Sequence, residues 1–368
     1  MSENFVGSKG TSQPSAAAVS AKQHLASSFF KKGITVAIIS GMSYGLYSAF
    51  VTVAMGKGIW ADWYAEGALP IFVSVYILGA LGSALNDSMS AIWAWIFGGV
   101  NGKISDFFRC LKSKPGIMMI IAAIVGGPIA GTAYIIALQK AGSIIIPISA
   151  LCPAIGAVLG RIIFKQELNK RMIAGVITCV IASFIIGSTS VTGGAINQEM
   201  VIGMLIALIA AFGWGFEGVI AGYGTSLIDV EIGIMIRQTV SGLVNLIILV
   251  PVLSIMAGDF SYAPKLIGGA LSNIDSLKFF IVSGFFALFA FSLWYKGNSM
   301  CGAALGMACN GAYSFWGPFF YWIILGVIMG TPDTMPPGRV WIAAIVMVFG
   351  ILLIAVNPLE LINKNKEA

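Results

Sequence analysis

Charge is what this sequence has least of. Asp, Glu, Lys and Arg together make up 10% of its 368 residues, whereas a domain bathed in water carries roughly 25%. That excludes a soluble globule, which would lack the polar surface to cover itself. A single histidine, His24, lies in the polar N-terminal stretch, so His-based catalysis within the apolar segments is excluded. The five cysteines (Cys110, Cys152, Cys179, Cys301 and Cys309) include no CxxC pair and mostly fall inside apolar runs. They read as small packing residues, implying neither a disulfide nor a metal site. A phosphate loop is also missing. Gly98-Gly99-Val100-Asn101-Gly102-Lys103 is one residue short, and Ile104 stands where Ser or Thr is required. The connections are too short for an ATPase domain, so any pumping must draw on an ion gradient or an external partner. Clustered acids or histidines, as a membrane-embedded transferase would need, are not visible. The expectation is therefore a protein that is not an enzyme and needs no cofactor.

What is abundant is apolar sequence. Hydrophobic residues make up 58% of the chain, 45 residues are glycine, and mean hydropathy is +0.92. A bilayer crossing takes about 20 mainly apolar residues. This rule predicts an all-α integral membrane protein with about ten spans, near 33–55, 68–98, 116–138, 143–164, 171–188, 200–222, 232–256, 277–296, 301–327 and 339–356. The second is overlong: either a tilted helix, or an interfacial helix followed by a span at 80–99. Residues 1–30 read as a disordered cytoplasmic tail without a signal-peptide core, and 359–368 as a second tail.

The net charge of +6 does not indicate nucleic-acid binding, because the basic residues cluster beside apolar segments, where they set orientation. Lys22, Lys31 and Lys32 precede the first span. Lys103, Arg109, Lys112 and Lys114 follow the second, and Arg161, Lys165, Lys170 and Arg171 follow the fourth. The opposite connections in this half hold only Lys57 and Lys140, so both termini are expected in the cytoplasm of a plasma-membrane protein. The second half is less biased, since Lys265 and Arg339 fall on the expected outer side.

The chain also repeats itself. Ser40-Gly41-Met42-Ser43-Tyr44-Gly45-Leu46-Tyr47 aligns with Ala210-Ala211-Phe212-Gly213-Trp214-Gly215-Phe216-Glu217. Each stretch opens one five-helix half, 31–190 and 191–358. Halves with an odd number of spans enter from opposite sides, giving the inverted repeat usual in alternating-access carriers.

Ionisable groups at membrane depth mark candidate sites. Glu217 is either a carboxylate facing a central cavity, as cation counter-charge or proton acceptor, or a helix-end group reaching solvent. Asp87 is buried if the span is 80–99 and merely ends a helix if the span is 68–86. Arg237, followed by Gln238, is either an interfacial anchor paired with Asp229 or Glu231, or an inward-pointing partner of Asp87 or Glu217. Tyr44/Tyr47, Trp214/Glu217 and Tyr313/Trp316 share i,i+3 spacing, which places each pair on one helix face. Converging rings and a carboxylate suit an organic cation, each ring face contributing about 0.5–2 kcal/mol. Gly126-Gly127-Pro128, Pro147 and Pro153 interrupt helices as cavity-lining segments do.

Tyr134-x-x-Ala137-Leu138-x-x-x-Gly142, Ala150-Leu151-Cys152-Pro153-Ala154-Ile155 and Gly175 resemble the ten-helix drug/metabolite transporter superfamily (EamA-like). Gly127-Pro128, Ala211 to Glu217, Ile236-Arg237-Gln238 and Asn310-Gly311-Ala312-Tyr313-Ser314-Phe315-Trp316 look most like the lic-type bacterial choline permeases. The resemblance implies a secondary active transporter importing choline or a related quaternary ammonium, coupled to a proton or sodium. Carried over by position, Tyr44, Trp214, Glu217, Tyr313 and Trp316 form its site, with Tyr47 and Asn310 beside them and Arg237 and Gln238 structural. Tyr44 and Cys152 depart from that pattern, and residues 56–80 look inserted. Drug or metabolite export, or sugar or amino-acid transport, is the alternative within the superfamily.

Overall fold

The computed structural model describes residues 16–141, 145–149, 151–165, 169–187 and 198–355. Positions 143–144 of the expected fourth span, Gly142 and Ala150, the junction at 190/191 and the stretches 1–15 and 356–368 lie outside the described residues. Among the described residues every regular element is helical. Six helices among the described residues are long and apolar enough to cross a membrane: Ser27–Met55, Lys114–Ala137, Gln198–Leu227, Val230–Met256, Ile274–Cys301 and Leu305–Ile328. The protein is a multi-pass, all-α membrane protein.

Helix α1 (Ala16–Met55) starts well inside the stretch 1–30 expected to be disordered. The overlong second segment resolves into one continuous run. A π-helical turn (Val73–Ile77) leads into α3 (Leu78–Val100), so Asp87 sits in the middle of the run rather than at a helix end. The short helix lies earlier, as α2 (Ile59–Tyr64). Gly126-Gly127-Pro128 does interrupt its helix. α5 (Lys114–Ile124) passes through a π-helical stretch (Val125–Gly131) into α6 (Thr132–Ala141), because Pro128 has no N–H to give to the preceding turn. α7 (Ile145–Ser149), α8 (Cys152–Phe164) and α9 (Lys170–Gly187) follow. In the second half come α10 (Gln198–Leu227), α11 (Val230–Val244), α12 (Val250–Met256), α13 (Tyr262–Ser272) and α14 (Ile274–Cys301). Gly302, at φ +89°, breaks the chain between α14 and α15 (Ala303–Asn310). α16 (Tyr313–Tyr321) and α17 (Gly338–Ala355) complete the fold.

Two ends of the bundle are distinguished by what caps them. At one, α2 packs on α13 through Trp60, Ala263, Leu266 and Ala270, and Lys140 Nζ meets Glu199 Oε2 at 2.5 Å. At the other, α4 (Ile104–Leu111) joins α3 to α5, and Lys103 Nζ lies 2.9 Å from both Asp229 Oδ2 and Glu231 Oε2. Ser113 caps α5 and Asp229 caps α11, each side chain accepting a backbone N–H of the first turn. Asp229 and Glu231 are thus the partners of Lys103, not of Arg237.

Packing follows a regular scheme. α1 lies against α14, α15 and α16, while α10 lies against α5, α6, α7 and α8. α3 crosses α11 and also touches α14; α11 also touches α5. α9 packs on α17, and α8 on α15. The contacts are close because small residues meet. A Cβ built on Gly45 would fall 2.5 Å from Trp316 Cβ, and one on Gly284 2.6 Å from the Met89 backbone.

Candidate functional site

Where α3, α10, α11 and α14 meet, four ionisable side chains converge away from solvent. Glu217 is fully buried about two-thirds of the way along the 30-residue α10, not close to the end of a shorter helix as the sequence boundaries imply. Arg237 lies two turns into α11, also buried. Its Nε donates to Glu217 Oε1 at 2.9 Å, and its Nη1 lies 3.1 Å from Asp87 Oδ1. Tyr295 of α14 donates its hydroxyl to the same Glu217 Oε1 at 2.5 Å.

The remaining valences of the cluster are largely filled. Arg237 Nη1 donates to Gln238 Oε1 at 2.6 Å, and Gln238 Nε2 donates to Ser90 Oγ at 2.6 Å. Ser241 donates its hydroxyl to Asp87 Oδ2. The ring of Phe291 covers the guanidinium, with its centroid 3.8 Å from Cζ. Burying one charge alone is prohibitive, and a charge survives at this depth only when paired and hydrogen-bonded. Arginine is suited to the position because its planar fork can address two carboxylates at once. With both acids ionised, one guanidinium faces two carboxylates and the cluster carries a formal charge of −1. Glu217 Oε2, also buried, makes no hydrogen bond among the described residues.

The glycine pair in the π-helical stretch makes this approach possible. A Cβ on Gly126 would lie 1.8 Å from Glu217 Oε2, and one on Gly127 1.9 Å from Ser241 Oγ. Glycine here is a requirement of contact as well as of helix interruption.

Beside the charges lies an aromatic cluster. Tyr44 is 4.5 Å, centroid to centroid, from both Tyr47 and Tyr313. It is also 6.0 Å from Phe291, which is 6.1 Å from Tyr47. All three tyrosines are half-buried. Phe291 therefore touches both the guanidinium and the tyrosine group. Trp214 belongs nearby through α10: its Nε1 donates to Gly126 O at 3.1 Å, and its ring lies 5.0 Å from Tyr134. A small cavity of about 10 Å³, enough for one water, lies beside Tyr313 and is also lined by Cys152, Cys179 and Ser183.

The expected residues thus divide. Tyr44, Tyr47, Tyr313, Asp87, Glu217, Arg237 and Gln238 fall in one connected region, and Trp214 borders it. Trp316 has its Cβ against Gly45 of α1, but no ring contact with the three tyrosines is seen among the described residues. Its ring packs against Phe315, Phe319 and Phe320 and on the cluster around Ile34 and Cys309. Asn310 spans α15 and α1, its Nδ2 donating to Ser40 Oγ at 2.7 Å, and Ser40 donates in turn to Ala290 O. It joins α15 to α1. Sequence reasoning missed Phe291, Tyr295 and Ser241. Phe291 and Tyr295 are one helical turn apart, which was the available signal. All five cysteines are free thiols, and no metal-ligating group of three or more His, Cys, Asp or Glu occurs among the described residues.

No protein-family profile matches this chain, and no curated protein matches it. Solved structures do. One, described only as a crystal structure of a protein, superposes with a TM-score of 0.59 over 87% of this chain and 96% of its own, at 18% identity. That likeness concerns the fold alone.

Proposed function

We propose that this protein is a secondary active transporter importing a small organic cation, choline or a related quaternary ammonium. In this reading it is a plasma-membrane carrier of the drug/metabolite transporter superfamily, closest to the lic-type choline permeases, coupled to a proton or sodium. Ten crossings form two inverted five-helix repeats that rock about the midplane. The packing scheme supports the repeat. Exchanging α1 with α10, α14 with α5 and α6, α16 with α8, and α3 with α11 turns most of the observed helix pairs into other observed pairs. The end carrying Lys103, Arg109, Lys112 and Lys114 is the cytoplasmic one by the distribution of basic residues.

The observation that carries the substrate class is the half-buried Tyr44–Tyr47–Tyr313 group next to a cluster with more carboxylates than cations. A quaternary ammonium cannot donate a hydrogen bond, so ring faces and a negative field must hold it. Glu217 serves this through its charge, transmitted past Arg237, and not as the direct counter-ion expected from sequence.

The test is uptake of labelled choline by proteoliposomes under imposed proton or sodium gradients. Wild-type protein should accumulate choline, and Tyr44→Ala or Tyr313→Ala should each reduce uptake about tenfold, corresponding to a lost ring contact of about 1–2 kcal/mol. No uptake by the wild type, with no rise in melting temperature on adding choline, would pass the site to a different solute.

A further inference from the structure

We infer that α4 is an interfacial anchor that binds the headgroups of anionic phospholipids. The chain leaves α3 with exposed apolar residues at Ile92, Ile96 and Val100, and this exposed line continues onto α4 at Ile104 and Phe108. Phe108 is 57% exposed, whereas Phe107, one position earlier, is buried with its ring 4.8 Å from Trp95. One side of α4 is therefore fixed to the bundle while Ile104 and Phe108, four residues apart, face outward from the end of a spanning region. A short helix so placed lies in the plane of the membrane surface, its apolar side chains at the level where headgroups meet acyl chains.

The polar residues at this end are basic: Arg109 lies on α4, Lys112 just past it, and Lys114 opens α5. Arg109, Lys112 and Lys114 are exposed. The acids in reach are already engaged: Asp229 and Glu231 by Lys103, and Asp106 by Arg109. Neither Lys112 nor Lys114 forms an ion pair among the described residues. Exposed Phe and Ile beside surplus positive charge complement a phosphate-bearing headgroup above an acyl chain, and each basic residue near such a surface adds severalfold to affinity. The acidic Asp106 reduces the contribution of Arg109, so the three together amount to between tenfold and about a hundredfold.

The full chain, purified and reconstituted in nanodiscs of phosphatidylcholine with increasing phosphatidylglycerol, tests this. Melting temperature and the lipid retained on extraction into mild detergent are the readouts. Wild-type protein should rise in melting temperature with phosphatidylglycerol and retain it in preference to phosphatidylcholine, and 0.5 M salt should weaken both effects. The triple variant Arg109→Gln/Lys112→Gln/Lys114→Gln should lose the preference at least tenfold while melting like the wild type in pure phosphatidylcholine. Phe108→Ser should also weaken retention with every charge in place. Lys165→Gln/Lys170→Gln, which removes charge from a different connection, should retain the preference. If that variant loses as much as the triple one, or if the wild type does not discriminate between the lipids, the assignment to α4 is wrong. It is equally wrong if glycerophosphate in solution abolishes the preference, since the site would then bind a free anion.

Discussion

Two groups in this molecule have the same stoichiometry, one base between two acids, in opposite surroundings. Arg237 lies between Asp87 and Glu217 at the helix crossing, where both members of each pair are nearly sealed from solvent. Lys103 lies between Asp229 and Glu231 at the α4 end, where the acid side chains are 45% and 43% exposed. Both contain nitrogen–oxygen contacts of 2.9 Å. Distance therefore says nothing about their different weights; burial decides. Removing a member of a buried group strands a charge with no water to receive it, whereas an exposed group exchanges one solvated state for another. The choice of base is consistent with this. The buried position carries arginine, with five donors in a fixed plane, and the exposed one carries lysine, a flexible point charge.

The comparison is tested most severely by Arg237→Met. It leaves Asp87 and Glu217 close together without a cation, and the expected loss is about 3–5 kcal/mol of stability, seen as a large drop in melting temperature in detergent. Adding Glu217→Gln to that variant should restore more than half of the loss, because only one carboxylate then needs a partner. If the double variant melts below the single one, charge imbalance is not what destabilises it. Arg237→Lys should fall between them.

Gly126→Ala comes next. It keeps all charges but places a methyl group within 1.8 Å of Glu217 Oε2, so the carboxylate must leave Arg237 or α5 must move away from α10. Overpacking of this kind costs about 1–3 kcal/mol. Gly268→Ala, at a position where a Cβ meets nothing, is the control and should melt like the wild type or slightly higher. Tyr295→Phe falls in the same range: it removes one donor from an ionised acceptor, with a loss of about 1.5–3 kcal/mol. That it leaves Arg237 in place can be checked by combining it with Glu217→Gln, after which the second substitution should add little.

Much of this arrangement could be read in advance, and the failures have physical causes. The length and apolarity of the spans mark a multi-pass helical membrane protein, because a continuous apolar run of about 20 residues hides its backbone in lipid as a helix, whereas the strands of a membrane barrel are shorter and alternate in polarity. Arg237 was ambiguous since its partners lie on other helices, and a one-dimensional spacing cannot report a three-helix crossing. The apolar run reads as ending at residue 222, which puts Glu217 near a helix end, whereas Tyr223 to Leu227 continue the helix. Phe291 and Tyr295 went unnoticed because α14 is apolar on all sides, so no face stands out. Tyr313 and Trp316 both lie toward α1, where the Tyr313 ring meets Tyr44 and Trp316 Cβ meets Gly45. The Trp316 ring is directed instead onto Phe319 and Phe320, and i,i+3 spacing reports a shared helix face but not the direction a large ring takes from it.

Lys103→Gln is the smallest expected effect and the one that defines the comparison's other end. Partial desolvation at Lys103 disfavours its charge, but hydrogen bonds to Asp229 and Glu231 outweigh it and raise its pKa above the ordinary lysine value. Desolvation of Asp229 is likewise outweighed, by the bond from Lys103 and the backbone N–H of Glu231, so its pKa is lowered. A raised lysine pKa gives stability that is complete below the unfolded-state value and disappears as pH rises through the folded one. A lowered aspartate pKa gives stability that is complete above the unfolded-state value and disappears as pH falls through the folded one. The two windows overlap from about pH 4 to about pH 10. Within that range the wild-type advantage over Lys103→Gln should be flat, under about 1 kcal/mol after solvent screening, and should shrink in 0.5 M salt as the Debye length falls to a few ångströms. An advantage that grew in high salt, or that matched the loss in Arg237→Met, would mean that burial is not what separates the two groups.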